Sequence, residues 1–239
     1  MEHSFLKSAA CALGLIIVLS MVLTAQTRPK NTKRLRDATS QSEKAAHVFE
    51  KVMAVPEKSI PRELLDRAEA VAVFPGVLKA GLVVGGRGGR GVISRREKGG
   101  WSAPAFFNLY GGSFGLQIGA SSTDFVLLFM NDDAVKSLLE DKFEIGGEGS
   151  VAAGPVGRSA SASTDAKMNA QILSYSRSKG LFAGLELKGV VINPDNDLNQ
   201  AVYEMKARDV LTGAPKHTME QMPEGVRVFP NSLARYSKR

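Results

Sequence analysis

An α+β fold is expected, with N-terminal helices packed on a strongly curved, glycine-rich antiparallel β-sheet. Residues 35–53 repeat small and apolar side chains at helical spacing. Residues 71–130 break into short alternating or β-branched runs punctuated by glycine, at a spacing of roughly ten residues. The 239 residues, 44% hydrophobic and 23% charged, suffice for one globular domain that buries a core without staples.

The elements follow in order. Lys7 precedes an uncharged, mostly apolar run from Ala9 to Ala25, which ends in polar Gln26-Thr27. Residues 1–27 therefore read either as a cleaved secretory signal or as a retained N-terminal anchor, the run being borderline in length for a membrane span. Export to a periplasmic or cell-envelope location is the corresponding expectation. The single cysteine, Cys11, lies inside this run, so the remainder has no thiol for a disulfide, a zinc site or a nucleophile. Residues 28–34 read as a basic linker. From Leu35 to Met53, the residues Leu35, Ala38, Ser42, Ala45, Ala46, Phe49, Val52 and Met53 share a helical sector roughly 120° wide. Pro56 ends that helix, and Pro61 with Glu63 opens a second.

Strand-like runs then follow: "AVAVF", "GLVVG", "GVISRR", "WSAPAFFNLY", "GSFGLQIGA" and "TDFVLLFM", joined by tight turns into an antiparallel meander. A short helix is expected at "NDDAVKSLLE", with Asn131 as N-cap. Further strands lie in 143–154, 170–180 and 181–193, and a helical pattern returns in "NPDNDLNQAVYEMKARDVL". The domain is expected to span 35–212, leaving 213–239 as a basic, proline-broken and partly ordered tail.

The chemistry-bearing motifs fail their context tests. Gly86, Gly88 and Gly91 spell G-x-G-x-x-G after a strand, but no helix follows and no acid lies between Glu97 and Asp124. A glycine-rich hairpin is expected instead, where glycine supplies positive φ or close backbone approach. Gly111-Gly112-Ser113-Phe114-Gly115 matches a nucleophile elbow, yet the residues after it alternate like a strand. Asp195, Asp197 and Asn199 resemble the start of a calcium loop, but Gln200 stands where glycine is needed and Lys206 where the bidentate glutamate belongs. Helix capping explains that cluster better. His3, His47 and His217 are not spaced for a metal or a general base. No catalytic residue, metal site or cofactor is expected, and the protein reads as non-enzymatic.

The formal charge of +7 favours anionic partners. No Lys/Arg-rich segment is interleaved with stacking rings, so nucleic acid is not expected. Arg28, Lys30, Lys33, Arg34 and Arg36 cluster before or at the start of the first helix, with Lys44 and Lys51 further along it. Five such cations near an anionic membrane contribute about 1 kcal/mol each at most. The helix either inserts Leu35, Phe49 and Met53 into a bilayer or docks the same stripe on the sheet. Arg87 and Arg90, on the glycine-rich stretch, are a second headgroup contact or else ordinary solvated turn residues.

A set of motifs ties these pieces together: Phe74-Pro75-Gly76, Lys79-Ala80-Gly81, Gly85-Gly86-Arg87-Gly88-Gly89, Trp101-Ser102-Ala103-Pro104, Gly115-Leu116-Gln117-Ile118-Gly119, Ala153-Gly154-Pro155-Val156-Gly157-Arg158 and Tyr175-Ser176-Arg177-Ser178-Lys179-Gly180. In this order, over about residues 35–205, they resemble the SYLF domain, also called the Ysc84 family. The resemblance implies a lipid-binding module that recognises phosphoinositides in eukaryotic members and bundles actin in some fungal ones. It also implies a membrane role for the N-terminal amphipathic helix, here Lys33 to Met53. With an export leader, the chain resembles an exported bacterial-type member, for which generic anionic phospholipid is the expected ligand. The alternatives are an envelope scaffolding module that binds proteins irrespective of lipid charge and, further off, a hydrolase using Ser113.

Overall fold

The structure, a computed structural model, describes residues 28–237 apart from 82–83, 115–118, 141, 148–149, 158–169, 179, 185–186, 188 and 214–221. The leader expected in residues 1–27 lies outside the described residues.

The first helix, α1 (Arg28–Met53), starts seven residues before Leu35, so the stretch read as a linker is helical. Pro29 is no obstacle, because a first-turn proline gives up an N–H that has no intrahelical acceptor. A 3-10 turn (Pro56–Lys58) leads to α2 (Arg62–Arg67), with Pro61 just outside its first turn. Ten strands follow: β1 (Ala70–Gly81), β2 (Val84–Glu97), β3 (Gly100–Trp101), β4 (Ala105–Phe114), β5 (Gly119–Phe129), β6 (Phe143–Ile145), β7 (Val151–Ala153), β8 (Ile172–Ser178), β9 (Leu181–Gly184) and β10 (Val190–Pro194). Between β5 and β6 lies α3 (Asp132–Leu138), capped as expected by Asn131, whose Oδ1 accepts from the Ala134 N–H at 2.9 Å. After β10 come α4 (Asn196–Tyr203), α5 (Ala207–Leu211) and α6 (Glu224–Tyr236). The single helix expected over 195–211 is split because Glu204 ends α4 in the left-handed region, at φ 55°.

The strands form one strongly curved, nearly closed sheet. Their order is β6-β10-β4-β2-β1-β5-β8-β7, with β3 added to β2 and β9 to β8. It is not a simple meander, and the parallel pairing of β7 with β8 makes it mixed rather than wholly antiparallel. The sheet has two unlike ends. At one, Ala70–Phe74, Val92–Ser94, Ala105–Phe107 and Phe125–Phe129 are buried on both faces. At the other, the far halves of β1, β2, β4 and β5 emerge into solvent.

β2 corrects the reading of its glycines. Gly86 to Gly91 are not a hairpin turn but the middle of a long strand, paired residue for residue with β4. The reason is close approach, not positive φ. β1 bulges between Val73 and Leu78, where the chain turns through Pro75 and Gly76. A methyl group at Gly91 would overlap the Phe74 ring and the Val73 carbonyl, and one at Gly89 would sit 2.7 Å from Val77 Cγ2. β4 likewise runs straight through Gly111–Phe114, without the sharp turn that a nucleophile elbow needs.

The tail contains a second correction. Glu224–Tyr236 forms α6, which lies along α1 with Val226, Phe229 and Leu233 buried. Tyr236 meets Phe49 edge-on at 5.7 Å, and Arg235 pairs with Glu50. The α1 stripe is therefore enclosed between the sheet and α6: Ala38, Ala45 and Phe49 are fully buried.

Candidate functional site

The enclosed stripe settles how α1 is used. Phe49 and Met53 belong to the core and are not available for insertion into a bilayer; of the three residues considered for that role, only Leu35 is partly exposed. What α1 presents outward is its polar face, with Lys33, Arg36, Lys44, His47 and Lys51 exposed. Arg28 and Lys30 lie within the helix, but their side chains fall outside the described residues.

α1 crosses β1 and β2 near the β1 bulge, and α4 lies beside it. Two adjoining clefts result. The first, of about 600 Å³, is lined by Lys33, Arg34 and Asp37 of α1, Arg90 of β2, and Asp195, Asp197 and Leu198 at the start of α4. The second, of about 290 Å³, shares Asp37 and Arg90 with it and adds Gln41 and Lys44 of α1, Leu78 of β1 and Gly88 of β2. Two groups that look unrelated in sequence, the helix cations and a glycine-strand arginine, thus face one another across the same opening.

Three carboxylates share the first cleft. Arg34 Nη2 lies 3.4 Å from Asp197 Oδ2, with both side chains well exposed. Asp195 Oδ1 accepts from the Leu198 N–H at 3.0 Å, the helix-capping role expected for the calcium-like cluster. The opening is consequently of mixed charge, and Arg34 is partly neutralised. Gln41 adds a buried side-chain amide with no hydrogen-bond partner among the described residues.

The remaining predicted cations do not join this site. Arg36 and Lys51 line neither cleft. Arg87, three positions from Arg90 in unbroken register, projects to the opposite face of β2. It is half-buried, and its Nε has no partner among the described residues. Asp195 and Asp197 stand beside the helix cations only because the fold brings α4 against α1, which local sequence does not reveal.

Burial raises the Tyr175 and Tyr203 phenols far above their ordinary range, and Tyr203 spends its hydroxyl on the Pro104 carbonyl at 2.6 Å. Among the described residues no three His, Cys, Asp or Glu side chains stand together as a metal set, and no helix is long and apolar enough to cross a membrane.

Comparison with known proteins gives a consistent picture. A family model described as "Ysc84: Las17-binding protein actin regulator" matches residues 110–235, a span that includes α6. The chain is 39% identical over 189 residues to LAS seventeen-binding protein 3 of Saccharomyces cerevisiae, covering 74% of this chain and 41% of that protein. It is 36% identical over 192 residues to Protein YSC84 of the same yeast, covering 77% and 41%. It is 32% identical over 183 residues to SH3 domain-containing YSC84-like protein 1 of Rattus norvegicus, covering 73% and 54%. The matched region thus spans about half the length of these relatives or somewhat less.

Proposed function

Because the chain belongs to the Ysc84 (SYLF) family, we propose that it is a non-enzymatic binding protein that docks on anionic phospholipid surfaces. The observation that carries this reading is the meeting of Lys33, Arg34 and Lys44 of α1 with Arg90 of β2 around two adjoining clefts that share Arg90. With Arg34 partly held by Asp197, three cations remain at about 1 kcal/mol each, an upper bound because Asp37 and Asp195 oppose them. That is at most about a hundredfold in partition, so attachment is weak and sensitive to salt. The expected export leader puts this surface at the cell envelope in our reading.

Vesicle co-sedimentation of the full chain and of a Lys33→Glu/Arg90→Glu variant, with neutral and anionic vesicles across a salt series, tests the proposal. Wild-type binding should rise with anionic lipid and weaken as salt screens it, and the variant should lose that difference. Equal pelleting of both proteins on both vesicle types would refute it. A protein-docking reading draws on the relatives' names, Las17-binding among them. Binding to a protein partner that ignores lipid charge and survives the double substitution would favour it.

A further inference from the structure

Electrostatic attraction brings a protein to a bilayer, but lasting attachment also needs apolar side chains that enter it. α1 does not provide them, since its stripe is enclosed. The apolar groups that the fold leaves outside lie elsewhere.

Among the described residues, the two most exposed large apolar side chains are Leu181, at 74%, and Leu78, at 62%; Tyr110 is 43% exposed. All three lie at the sheet's solvent-facing end. Leu78 on β1 is the register partner of Gly88 on β2, which is in turn the partner of Tyr110 on β4. Gly88 has no side chain, so Leu78 and Tyr110 flank an open slot. On the other side of β1, Leu78 pairs with Ser122 of β5. The Ser122 carbonyl accepts from the Ser178 hydroxyl at 3.5 Å, and Ser178 is the register partner of Leu181. The leucines thus belong to one rim, three strands apart, but to its two faces: Leu181 shares the face of Ser178, Thr123 and Lys79, and Leu78 that of Ser122 and Tyr110.

A single exposed leucine is ordinary. The charge around these is not. The strand segments reaching this rim, 77–81, 84–91, 110–114, 119–124, 176–178 and 181–184, carry Lys79, Arg87, Arg90 and Arg177 and one acid, Asp124. Arg177 is engaged by Asp124 at 3.2 Å. Lys79 and Arg87 face each other as direct cross-strand partners, a like-charge pairing that destabilises a sheet unless an anion offsets it. Exposed leucines beside Lys79 and Arg87, which form no ion pair among the described residues, are the composition of an interfacial anchor: apolar groups for the acyl boundary, charge for the phosphates.

We infer that this rim enters the headgroup layer of an anionic bilayer, with Leu78 and Leu181 reaching the acyl boundary and Lys79 and Arg87 meeting lipid phosphates. The inference rests on the lipid-docking function proposed above and names the element that penetrates, the sheet rim rather than the helix. The second cleft contains both Leu78 and Lys44, so the Leu78 face of the rim adjoins the helix cations, while Lys79 and Arg87 lie on its other face.

The test places an environment-sensitive fluorophore at single cysteines, Leu78→Cys, Leu181→Cys and, on the exposed face of α1, His47→Cys, each in a full chain carrying Cys11→Ser. Vesicles of equal parts phosphatidylcholine and phosphatidylglycerol are added, with and without brominated acyl chains. The probe reports its own position, so the apolar leader does not confound it. Emission at 78 and 181 should shift to the blue, rise about twofold or more, and be quenched by the brominated chains, while position 47 remains aqueous. Leu181→Asp should weaken vesicle binding about tenfold and leave the melting temperature unchanged. Vesicle binding with aqueous probes at 78 and 181 would overturn the inference and leave lipid docking intact. Failure to bind any vesicle would overturn both. A blue shift that grows with protein concentration in the absence of lipid would assign the rim to a second copy of the chain and overturn the bilayer as its occupant.

Discussion

Ser42 supplies to the last helix the hydrogen bond that Pro230 takes away. In α6 the Val226 carbonyl faces residue 230, which has no N–H to give. The Ser42 hydroxyl, fully buried on α1, donates to that carbonyl at 2.7 Å and accepts from the Phe229 N–H at 3.3 Å. A polar residue in an otherwise apolar stripe is thereby explained. Ser42→Ala should cost about 1–3 kcal/mol, because it strands a buried carbonyl. Pro230→Ala in the Ser42→Ala background should recover part of that loss by restoring an N–H within the helix. Urea denaturation of both single variants and the double variant checks this; additivity within about 0.5 kcal/mol would mean that the two residues are uncoupled.

Gly154 packs its backbone on the face of Tyr175. A methyl group there would overlap the ring, and one at Gly184 would overlap the Gly154 carbonyl. Gly154→Ala should therefore destabilise by about 3 kcal/mol or more, since neither the ring, stacked on Phe182 at 5.4 Å, nor the backbone can retreat. Gly112→Ala is the control. No atom of the described residues lies within 4 Å of a methyl group there, and the change in stability should stay within about 0.5 kcal/mol. Thermal melts of the two variants separate a packing glycine from a permissive one.

Tyr203 lies against Phe106 and donates to the Pro104 carbonyl. Burial raises its phenol pKa above the unfolded value, so folding favours the protonated form. That contribution is complete below the unfolded pKa of about 10 and is lost as pH rises toward the higher folded value. Tyr203→Phe should cost about 1–2 kcal/mol at neutral pH by leaving Pro104 without its donor. It should also flatten the alkaline decline in stability, as measured by denaturation between about pH 9 and pH 11.

Asp197 restrains Arg34 by an exposed ion pair. Asp197→Asn should change stability by less than about 0.5 kcal/mol. Freeing the guanidinium and removing a carboxylate from the cleft should strengthen binding to anionic vesicles about two- to fivefold, with little change on neutral ones. Co-sedimentation at low salt is the measurement; weaker binding on anionic vesicles would mean that Asp197 positions Arg34 rather than competing for it.

Much of this was legible in the sequence where the determinants are local. The α1 stripe, the Asn131 and Asp195 caps and the strand-like texture between Val71 and Met130 all depend on neighbours a few residues away. What was not legible depends on distant partners. α6 is not legible locally, because Pro230 reads as a breaker and the serine that compensates sits on the first helix. Ser237, read as loose tail, accepts from the only tryptophan, Trp101, at 2.9 Å. The β2 glycines suggested a turn because nothing local reveals that β1 bulges against them. At the site, Lys33, Arg34, Lys44 and Arg90 were each identifiable as exposed cations. Their convergence, and the three aspartates that temper it, exist only once α4 and β2 meet α1.

The pairing of the first and last described helices also sets an order of events. While the chain is being made, α1 exists long before α6, and its greasy stripe has no final cover. Closure waits for the C-terminal residues, so the domain fastens last along the seam between its two ends. A ribosome-held or C-terminally clipped chain would keep that seam open, a natural target for holdases and proteases that survey unfinished proteins.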